Sequence, residues 1–193
     1  MKQTEYHYTD YIKDVKENSL HPKMKNIYNI LPQKIIEIPN IIFYGPPGIG
    51  KYSQVLYFLE NYSPSNLKYE KKMNINFNKD IYSYKISDIH YEIDMMLLGC
   101  NSKVLWNEIF NNIIDIINTK ENKVGIIVCK NFHEIHTELL ECFYSYMQKT
   151  LFSTIKIHFI LITENISFIQ NNNIKSCYIL NFSRPSKNIY ETC

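Results

Sequence analysis

The residues with the clearest chemical meaning lie at 45–51, where the sequence Gly-Pro-Pro-Gly-Ile-Gly-Lys directly follows the apolar run 41–44. A glycine-rich turn lets backbone N–H groups point inward at an anion, and a helix that begins after it adds the positive end of its dipole. Lys51 would then reach the outer phosphates of a nucleotide. This pattern predicts a phosphate-binding loop. The residues expected to bind the nucleotide are Gly45, Pro46, Pro47, Gly48, Ile49, Gly50, Lys51, Tyr52 and Ser53.

The residue after Lys51 departs from this pattern. A loop of this type continues with Ser or Thr, whose hydroxyl holds Mg²⁺. Here Tyr52 follows the lysine, and Ser53 comes one position late, where it would serve only if the helix start shifted. We expect that the metal ligand is lost. Nucleotide binding is therefore predicted, while hydrolysis and the need for magnesium stay open.

The composition is that of one well-packed domain. The chain has 193 residues, 45% hydrophobic and 21% charged, and its formal net charge of +2 gives no electrostatic argument for nucleic acid. Its 5 cysteines include no Cys-x-x-Cys pair, which favours a reducing compartment and indicates no zinc site. His133 and His136 are not spaced as metal ligands, so no metal site is predicted. Neither a signal peptide nor a membrane span is predicted.

Short apolar strands alternate with amphipathic helices, and these elements must position the loop. A buried strand over 38–44 leads into it, and a helix over 51–61 follows. Alternating apolar residues around the polar turn 78–80 predict a β-hairpin. Residues 1–20 are polar and irregular, and a short helix is expected from about 21 to 31. Further strands are expected at 89–95, 124–128, 157–163 and 178–182, and further helices at 101–118 and 134–149. This order favours a three-layer α/β domain with a mostly parallel sheet.

Several segments resemble, in the correct order, the small subunits of replication factor C, which are clamp-loader AAA+ ATPases. The specific match is Asn-Ile-Ile-Phe-Tyr-Gly-Pro-Pro-Gly at 40–48. The variant Lys-Tyr-Ser-Gln at 51–54 also resembles loader-like ATPases of large DNA viruses. Weaker matches follow in the hairpin, and then at 89–94, 126–149, 174–177 and 184–186.

The resemblance implies a P-loop NTPase domain of the RecA-like AAA+ type over 36–187, with a β-hairpin insertion. Residues 1–35 would form an N-terminal extension with a short helix. Residues 188–193 would be the truncated start of the family's helical lid, so the lid and the collar are expected to be lacking.

The same resemblance implies that magnesium chemistry is degraded. The family's second nucleotide motif is a strand that ends in Asp-Glu, which supports Mg²⁺ and polarises the attacking water. Here the corresponding strand ends in Cys129 and Lys130, a degenerate Walker B motif. Either this strand end drifted after hydrolysis became dispensable, which is the preferred interpretation, or Lys130 supplies a fixed cation in place of Mg²⁺.

The resemblance also implies positions for a phosphate sensor and for an arginine finger, and this chain matches only the first. Thr163 or Asn165 is the candidate phosphate sensor. Ser176 directly precedes Cys177, so the arginine that would reach a neighbour's phosphate is missing, and the only arginine of the chain, Arg184, lies past this segment. No residue is assigned a catalytic role.

The resemblance also implies partner contacts. Lys103 falls where the family places a basic residue near duplex DNA, and it is the candidate DNA phosphate contact, with a solvated lysine as the alternative. The helix at 134–149 touches the sliding clamp in that family. The candidate clamp contacts are Phe143, Tyr144, Tyr146 and Met147, for which a place in the core is the alternative.

The predicted function is that of a clamp-loader-like AAA+ subunit in DNA replication or repair, which binds ATP or ADP with weak or no hydrolysis. Its partners would be a sliding clamp, other loader subunits and DNA, without a membrane. Its compartment would be intracellular and reducing: the nucleus, the cytoplasm or a viral replication compartment. Two alternatives stay open. One is a structural subunit with an empty P-loop, and the other is a P-loop nucleotide kinase, which the scarcity of arginine disfavours.

Overall fold

The computed structural model describes residues 6–77, 80–149 and 154–187. Seven strands form one sheet: β1 (Asn40–Tyr44), β2 (Lys71–Phe77), β3 (Asp80–Ile86), β4 (His90–Asp94), β5 (Val124–Lys130), β6 (Lys156–Thr163) and β7 (Cys177–Asn181). Six helices surround it: α1 (Tyr8–Glu17), α2 (Met24–Ile30), α3 (Lys51–Glu60), α4 (Ser102–Asn118), α5 (Thr137–Lys149) and α6 (Asn171–Lys175).

The sheet has the strand order β2-β3-β4-β5-β6-β1-β7. Strands β4, β5, β6, β1 and β7 are parallel, while β2 and β3 form an antiparallel hairpin that joins the edge of β4. Because parallel strands end at the same edge of a sheet, the residues that follow β1, β4, β5 and β6 come together there. The expected mostly parallel α/β sheet with a hairpin is confirmed, although most of the hairpin turn lies outside the described residues.

A hydrophobic core lies on each face of the sheet, which makes the domain three-layered. On one face α4 and α5 pack around Trp106, Phe143 and Phe159. On the other face α1, α2 and α3 pack around Phe43 and Phe58. The central strands are covered on both sides, which explains why they are continuously apolar in sequence.

Helix α1 corrects the expectation that residues 1–20 are irregular. Tyr8, Ile12 and Val15 recur at the spacing of one helix face, and all three are buried. The carboxylate of Asp10 accepts a hydrogen bond from the backbone N–H of His7 at 2.9 Å, which supports the first turn. The pattern was present, but the many charged residues between these positions obscured it.

The other element boundaries shift slightly. Strand β1 begins at Asn40, after Pro39, and a separate 3₁₀ turn at Phe132–Glu134 precedes α5. In α4 the buried stripe includes Leu105, Ile109, Ile113 and Ile117. Residues 188–193, the expected start of a lid, lie outside the described residues.

Most of the proposed clamp contacts are core residues, which corrects that expectation. Phe143, Tyr146 and Met147 are buried because α5 packs on α4, with the Phe143 ring centre 5.2 Å and the Tyr146 ring centre 6.0 Å from that of Trp106. They present no surface to a partner. Only Tyr144 stays partly exposed.

The described helices include none that is both long enough and apolar enough to cross a bilayer.

Candidate functional site

The predicted phosphate-binding loop connects the end of β1 to the first residue of α3. The backbone N–H of Gly45 donates to the carbonyl of Thr163, the last residue of β6, at 3.3 Å, which holds the start of the loop against the sheet. Gly48 and Gly50 then adopt positive φ values of 71° and 79°, which side chains rarely tolerate. Gly50 is the N-cap residue of α3, so the loop ends at the positive end of the helix dipole.

The turn between these glycines leaves backbone donors free. Among the residues that the structure describes, the N–H groups of Gly48, Ile49 and Gly50 donate to no protein group. A run of free N–H groups at a helix N-terminus is the arrangement that binds phosphate. The loop therefore has the predicted form of an anion cradle.

Lys51 extends along the inside of this loop. Its ammonium donates to the carbonyl oxygens of Gly45 at 2.7 Å and Pro46 at 2.6 Å. Burial lowers the pKa of Lys51, and the carboxylate of Glu164 acts in the opposite direction. A phosphate would offer the ammonium stronger acceptors than these two carbonyls, since hydrogen bonds between ionised groups are the strong ones.

A cavity of about 240 Å³ opens in front of the cradle. It is lined by Gly48, Ile49, Gly50, Lys51, Tyr52, Asn131, His133, Ile162 and Glu164. The structure thus brings five of the nine predicted nucleotide-binding residues to one cavity. Ser53 is not among the lining residues, as expected for a residue rotated by about 100° from Tyr52 on a helix.

Neither candidate sensor residue lines this cavity. The Thr163 hydroxyl is buried and donates to the backbone oxygen of Asn165 at 2.6 Å, while the Asn165 side-chain oxygen accepts from Ser167 at 2.9 Å. Glu164, which lies between them, lines the cavity instead. Its carboxylate is 3.9 Å from a ring nitrogen of His133. Thr163 and Asn165 therefore stay candidates from the sequence, with their side chains engaged in local hydrogen bonds, and Glu164 is the residue of this segment that lines the cavity.

Sequence reasoning missed Asn131, His133 and Glu164 as parts of this cavity. They follow β5 and β6, and parallel neighbours of β1 must deliver their next residues to the same sheet edge. That topological rule was the available signal.

A larger cavity, of about 520 Å³, is lined by His21, which contacts the phosphate loop. Its walls come from the segment before α2 and from the residues after β7, including His21, Met24, Ile27 and Arg184. A ring nitrogen of His21 lies 2.8 Å from the carbonyl oxygen of Ile49, which ties this wall to the phosphate loop. Burial lowers the pKa of His21.

Tyr52 points towards the sheet. Its hydroxyl donates to both carboxylate oxygens of Glu92 on β4, at 2.9 and 3.0 Å. Glu92 is buried and also lies 3.3 Å from a ring nitrogen of the fully buried His90. Burial, followed by the charge of Glu92, raises the pKa of Tyr52, so the phenol stays protonated and keeps donating to the carboxylate.

Lys130, the last residue of β5, lies over the aromatic ring of Tyr52. Its ammonium is 4.4 Å from the centre of the Tyr52 ring, a cation–π distance. Cys129 before it is fully buried, and burial raises its thiol pKa. The degenerate strand end thus presents a neutral thiol to the core and a cation to the ring of Tyr52, which lines the cradle cavity.

These residues do not fit a magnesium ion. Magnesium binds oxygen ligands in near-octahedral geometry. The Tyr52 hydroxyl is engaged by Glu92, Cys129 is a buried thiol, and Lys130 carries a positive charge. In the part of the chain that the structure describes, no three acidic, histidine or cysteine side chains form a metal-binding group.

The remaining predicted positions lie apart from the cradle. Lys103 is exposed on the first turn of α4 and stays a candidate DNA contact. Ser176 donates to the carbonyl of Asn173 at 2.8 Å, beside Cys177 at the start of β7. Arg184 belongs to the larger cavity.

Comparison with known proteins supports the fold alone. No protein-family model and no curated protein sequence matches the chain. Among solved structures, Caenorhabditis elegans PCH-2 matches with a TM-score of 0.50 at 14% identity, over 94% of this chain and 42% of that one. Rhizobiales Trip13 matches with a TM-score of 0.50 at 10% identity, over 92% and 55%. The P216G mutant of Thermotoga maritima RuvB matches with a TM-score of 0.50 at 12% identity, over 97% and 52%.

The chain spans about half the length of these three structures. At such low identity the comparison extends to architecture and not to activity or partners. What the chain shares with them is the mostly parallel sheet between two helical layers. The chain therefore has the three-layer α/β fold, with a mostly parallel sheet, of these structures.

Proposed function

We propose that this chain is a nucleotide-binding AAA+ module that holds ATP or ADP and hydrolyses it weakly or not at all. The observation that carries the proposal is the cradle of free N–H groups at Gly48, Ile49 and Gly50, with the Lys51 ammonium beside it. A phosphate chain satisfies all of these donors at once. An empty structural turn would leave them to solvent.

The larger cavity supports a place for the base and ribose. Its wall residue His21 contacts Ile49 of the loop, and its volume of about 520 Å³ is in the range of small-molecule sites. Apolar side chains of Leu20, Met24 and Ile27 would pack on the base, while Arg184 would approach the ribose or the phosphates.

Weak hydrolysis follows from the groups around the cradle. Attack by water on the terminal phosphate requires a positioned water and stabilisation of the developing charge. Cys129 and Lys130 replace the acidic pair, and among the described residues Glu164 is the only carboxylate that lines the cradle cavity. Glu164 is held beside His133, because its backbone N–H donates to Nδ1 of that ring at 3.4 Å and its carboxylate lies 3.9 Å from Nε2.

Calorimetric titration with ATP and ADP tests this proposal. We expect binding by the wild-type chain, and a loss of at least tenfold in affinity, about 1.4 kcal/mol, for Lys51→Ala. Lys72→Ala, at an exposed position on β2, is the matched control and should bind like the wild type. Absence of heat with both nucleotides would favour the empty structural subunit. Steady phosphate release that disappears in Lys51→Ala would overturn the weak-hydrolysis part.

We further propose that the module works in a clamp-loader-like assembly in DNA replication or repair. Support comes from the sequence resemblance at 40–48 and from the hairpin of β2 and β3 at the edge of the sheet. A sliding clamp, other loader subunits and DNA are its proposed partners, in the nucleus, the cytoplasm or a viral replication compartment. Co-purification from the native source should recover a clamp or loader subunits. Recovery of an unrelated assembly would contradict this role.

A further inference from the structure

The structure assigns the magnesium position of the phosphate loop to Lys130, held by the ring of Tyr52, and we infer that the chain binds nucleotide phosphates without a divalent metal. This inference rests on the proposed nucleotide binding. It reverses the preferred interpretation from sequence, in which the strand end drifted without a new role.

The first step is the position of Tyr52. It directly follows Lys51 on the first turn of α3, where a P-loop protein places its metal-binding hydroxyl. The phenol is long enough to pass this position and reach Glu92, whose two oxygens accept from it at 2.9 and 3.0 Å. The edge of the Tyr11 ring lies against it, with the ring centres 5.1 Å apart. Tyr52 is therefore fixed on two sides, and its ring fills the space beside the cradle.

The second step is the position of Lys130. Its ammonium lies over the fixed ring of Tyr52 at 4.4 Å from the ring centre. Within the described ranges, no carboxylate forms an ion pair with it. Its charge is thus positioned by an aromatic face and left available to an anion. A lysine without a role would be expected to extend into solvent, because ordering its side chain costs entropy.

The third step is the placement of the nearby carboxylates. Asp94 lies opposite Lys130 in the backbone register of β4 and β5. Its carboxylate accepts hydrogen bonds from the side-chain amide of Asn131 at 2.9 and 3.1 Å. It also accepts from the backbone N–H of Met96 at 3.2 Å. Glu92 is bound by Tyr52 and lies beside His90. The carboxylates of Asp94 and Glu92, which flank Lys130 and Tyr52, are therefore held by protein donors. Glu164 lines the cradle cavity from the end of β6.

The charge arrangement favours a bare phosphate chain. The cradle cavity is lined by Lys51, by the N-terminus of α3 and by one described carboxylate, Glu164. The ammonium of Lys130 adds a second positive charge from beside the Tyr52 ring, and the ligand carries three or four negative charges. A bound Mg²⁺ would have to share this region with Lys130, and two like charges at close range repel each other. The nucleotide in complex with Mg²⁺ should consequently be the poorer ligand.

The test is a calorimetric titration with ADP in excess EDTA and again with Mg²⁺ in excess over nucleotide. We expect equal or tighter binding in EDTA. Lys130→Met should weaken binding in EDTA by about 10-fold to 100-fold, the value of a hydrogen bond between charged groups. Lys72→Met is the control for the loss of one lysine, since β2 lies at the far edge of the sheet from the loop, and it should bind like the wild type.

The outcomes separate the two proposals. Binding that appears only with Mg²⁺, or that tightens at least tenfold with it, would overturn this inference and leave nucleotide binding intact. Unchanged affinity in Lys130→Met would overturn the role of that residue even if binding is independent of metal. Absence of binding in both buffers would remove the proposed function itself. Thermal unfolding without nucleotide checks that Lys130→Met folds, and Lys130→Gln repeats the test if it does not.

Discussion

Two positions of the phosphate loop, Gly45 and Gly48, require glycine for different physical reasons. A Cβ added to Gly45 would lie 2.3 Å from the carbonyl oxygen of Phe182, and this backbone is itself fixed because the Phe182 N–H donates to Tyr44 at 2.7 Å. A Cβ on Gly48 would have no heavy atom within 4 Å, and Gly48 lines the cavity. The first glycine permits close packing of the chain, while the second keeps the cradle open.

Alanine substitutions should therefore separate stability from binding. We expect Gly45→Ala to lower the free energy of unfolding by about 3 kcal/mol, since backbone atoms must move apart. Gly48→Ala should lower the free energy of unfolding by about 1–2 kcal/mol, because a side chain is strained at its positive φ. The same variant should lose more free energy of nucleotide binding than free energy of unfolding. Denaturant unfolding and calorimetry on both variants provide the measurement. Equal stability losses in the two variants would contradict this assignment.

The sequence predicted the loop and its lysine because those residues are contiguous. It did not predict that Tyr52 donates to Glu92 or that Lys130 lies over Tyr52, since these contacts join three elements far apart in the chain. Position along a parallel sheet identifies which strand ends meet, but not which side chains turn towards each other. The sequence shows Tyr52, Cys129 and Lys130 as departures from the family's motifs, while the contacts between them depend on how the strands and α3 pack.

At the scale of the elements, the N-terminal helix is the largest difference from expectation. Helix α1 packs on α3, and its Tyr11 ring touches Tyr52 in edge geometry. The ammonium of Lys16 forms an ion pair with Glu60 at 2.7 Å. The strands were easier to predict because buried parallel strands are apolar throughout, whereas α1 shows only one apolar position per turn.

Helix α1 should contribute directly to the stability of the domain. Ile12 is buried against the same core as Phe43 and Phe58. Replacing it with alanine leaves a cavity there, and we expect Ile12→Ala to lower the free energy of unfolding by about 2–5 kcal/mol. Lys13→Ala, at the exposed neighbouring position, should change it by less than about 0.5 kcal/mol. Urea unfolding of both variants provides the comparison. A detachable extension, in contrast, would make the two variants equally stable.

At the scale of the whole molecule, stability should depend on pH through His158 on β6. Burial lowers its pKa from an ordinary value of 6.5 to about 4, with a further contribution from Lys156. Between about pH 6.5 and pH 4, His158 binds a proton in the unfolded chain but stays neutral in the folded chain. The free energy of unfolding therefore decreases as the pH falls through this range. The shift corresponds to at most about 3 kcal/mol.

His158→Gln should remove this part of the pH dependence. The measurement is the free energy of unfolding between pH 7 and pH 4 for the wild type and the variant, from urea titrations. We expect the two curves to converge towards low pH, where the wild type has lost the advantage of a neutral imidazole. Parallel curves would show that the histidine titrates alike in both states.

The single tryptophan gives these experiments an internal optical reporter. Trp106 is fully buried, and its indole N–H has no hydrogen-bond partner among the described residues, so its fluorescence should lie at short wavelength in the native state. It belongs to the core on the face of the sheet opposite to α1 and α3. A red shift of the Trp106 emission maximum therefore reports global unfolding. Nucleotide binding at the loop should leave this emission maximum unchanged.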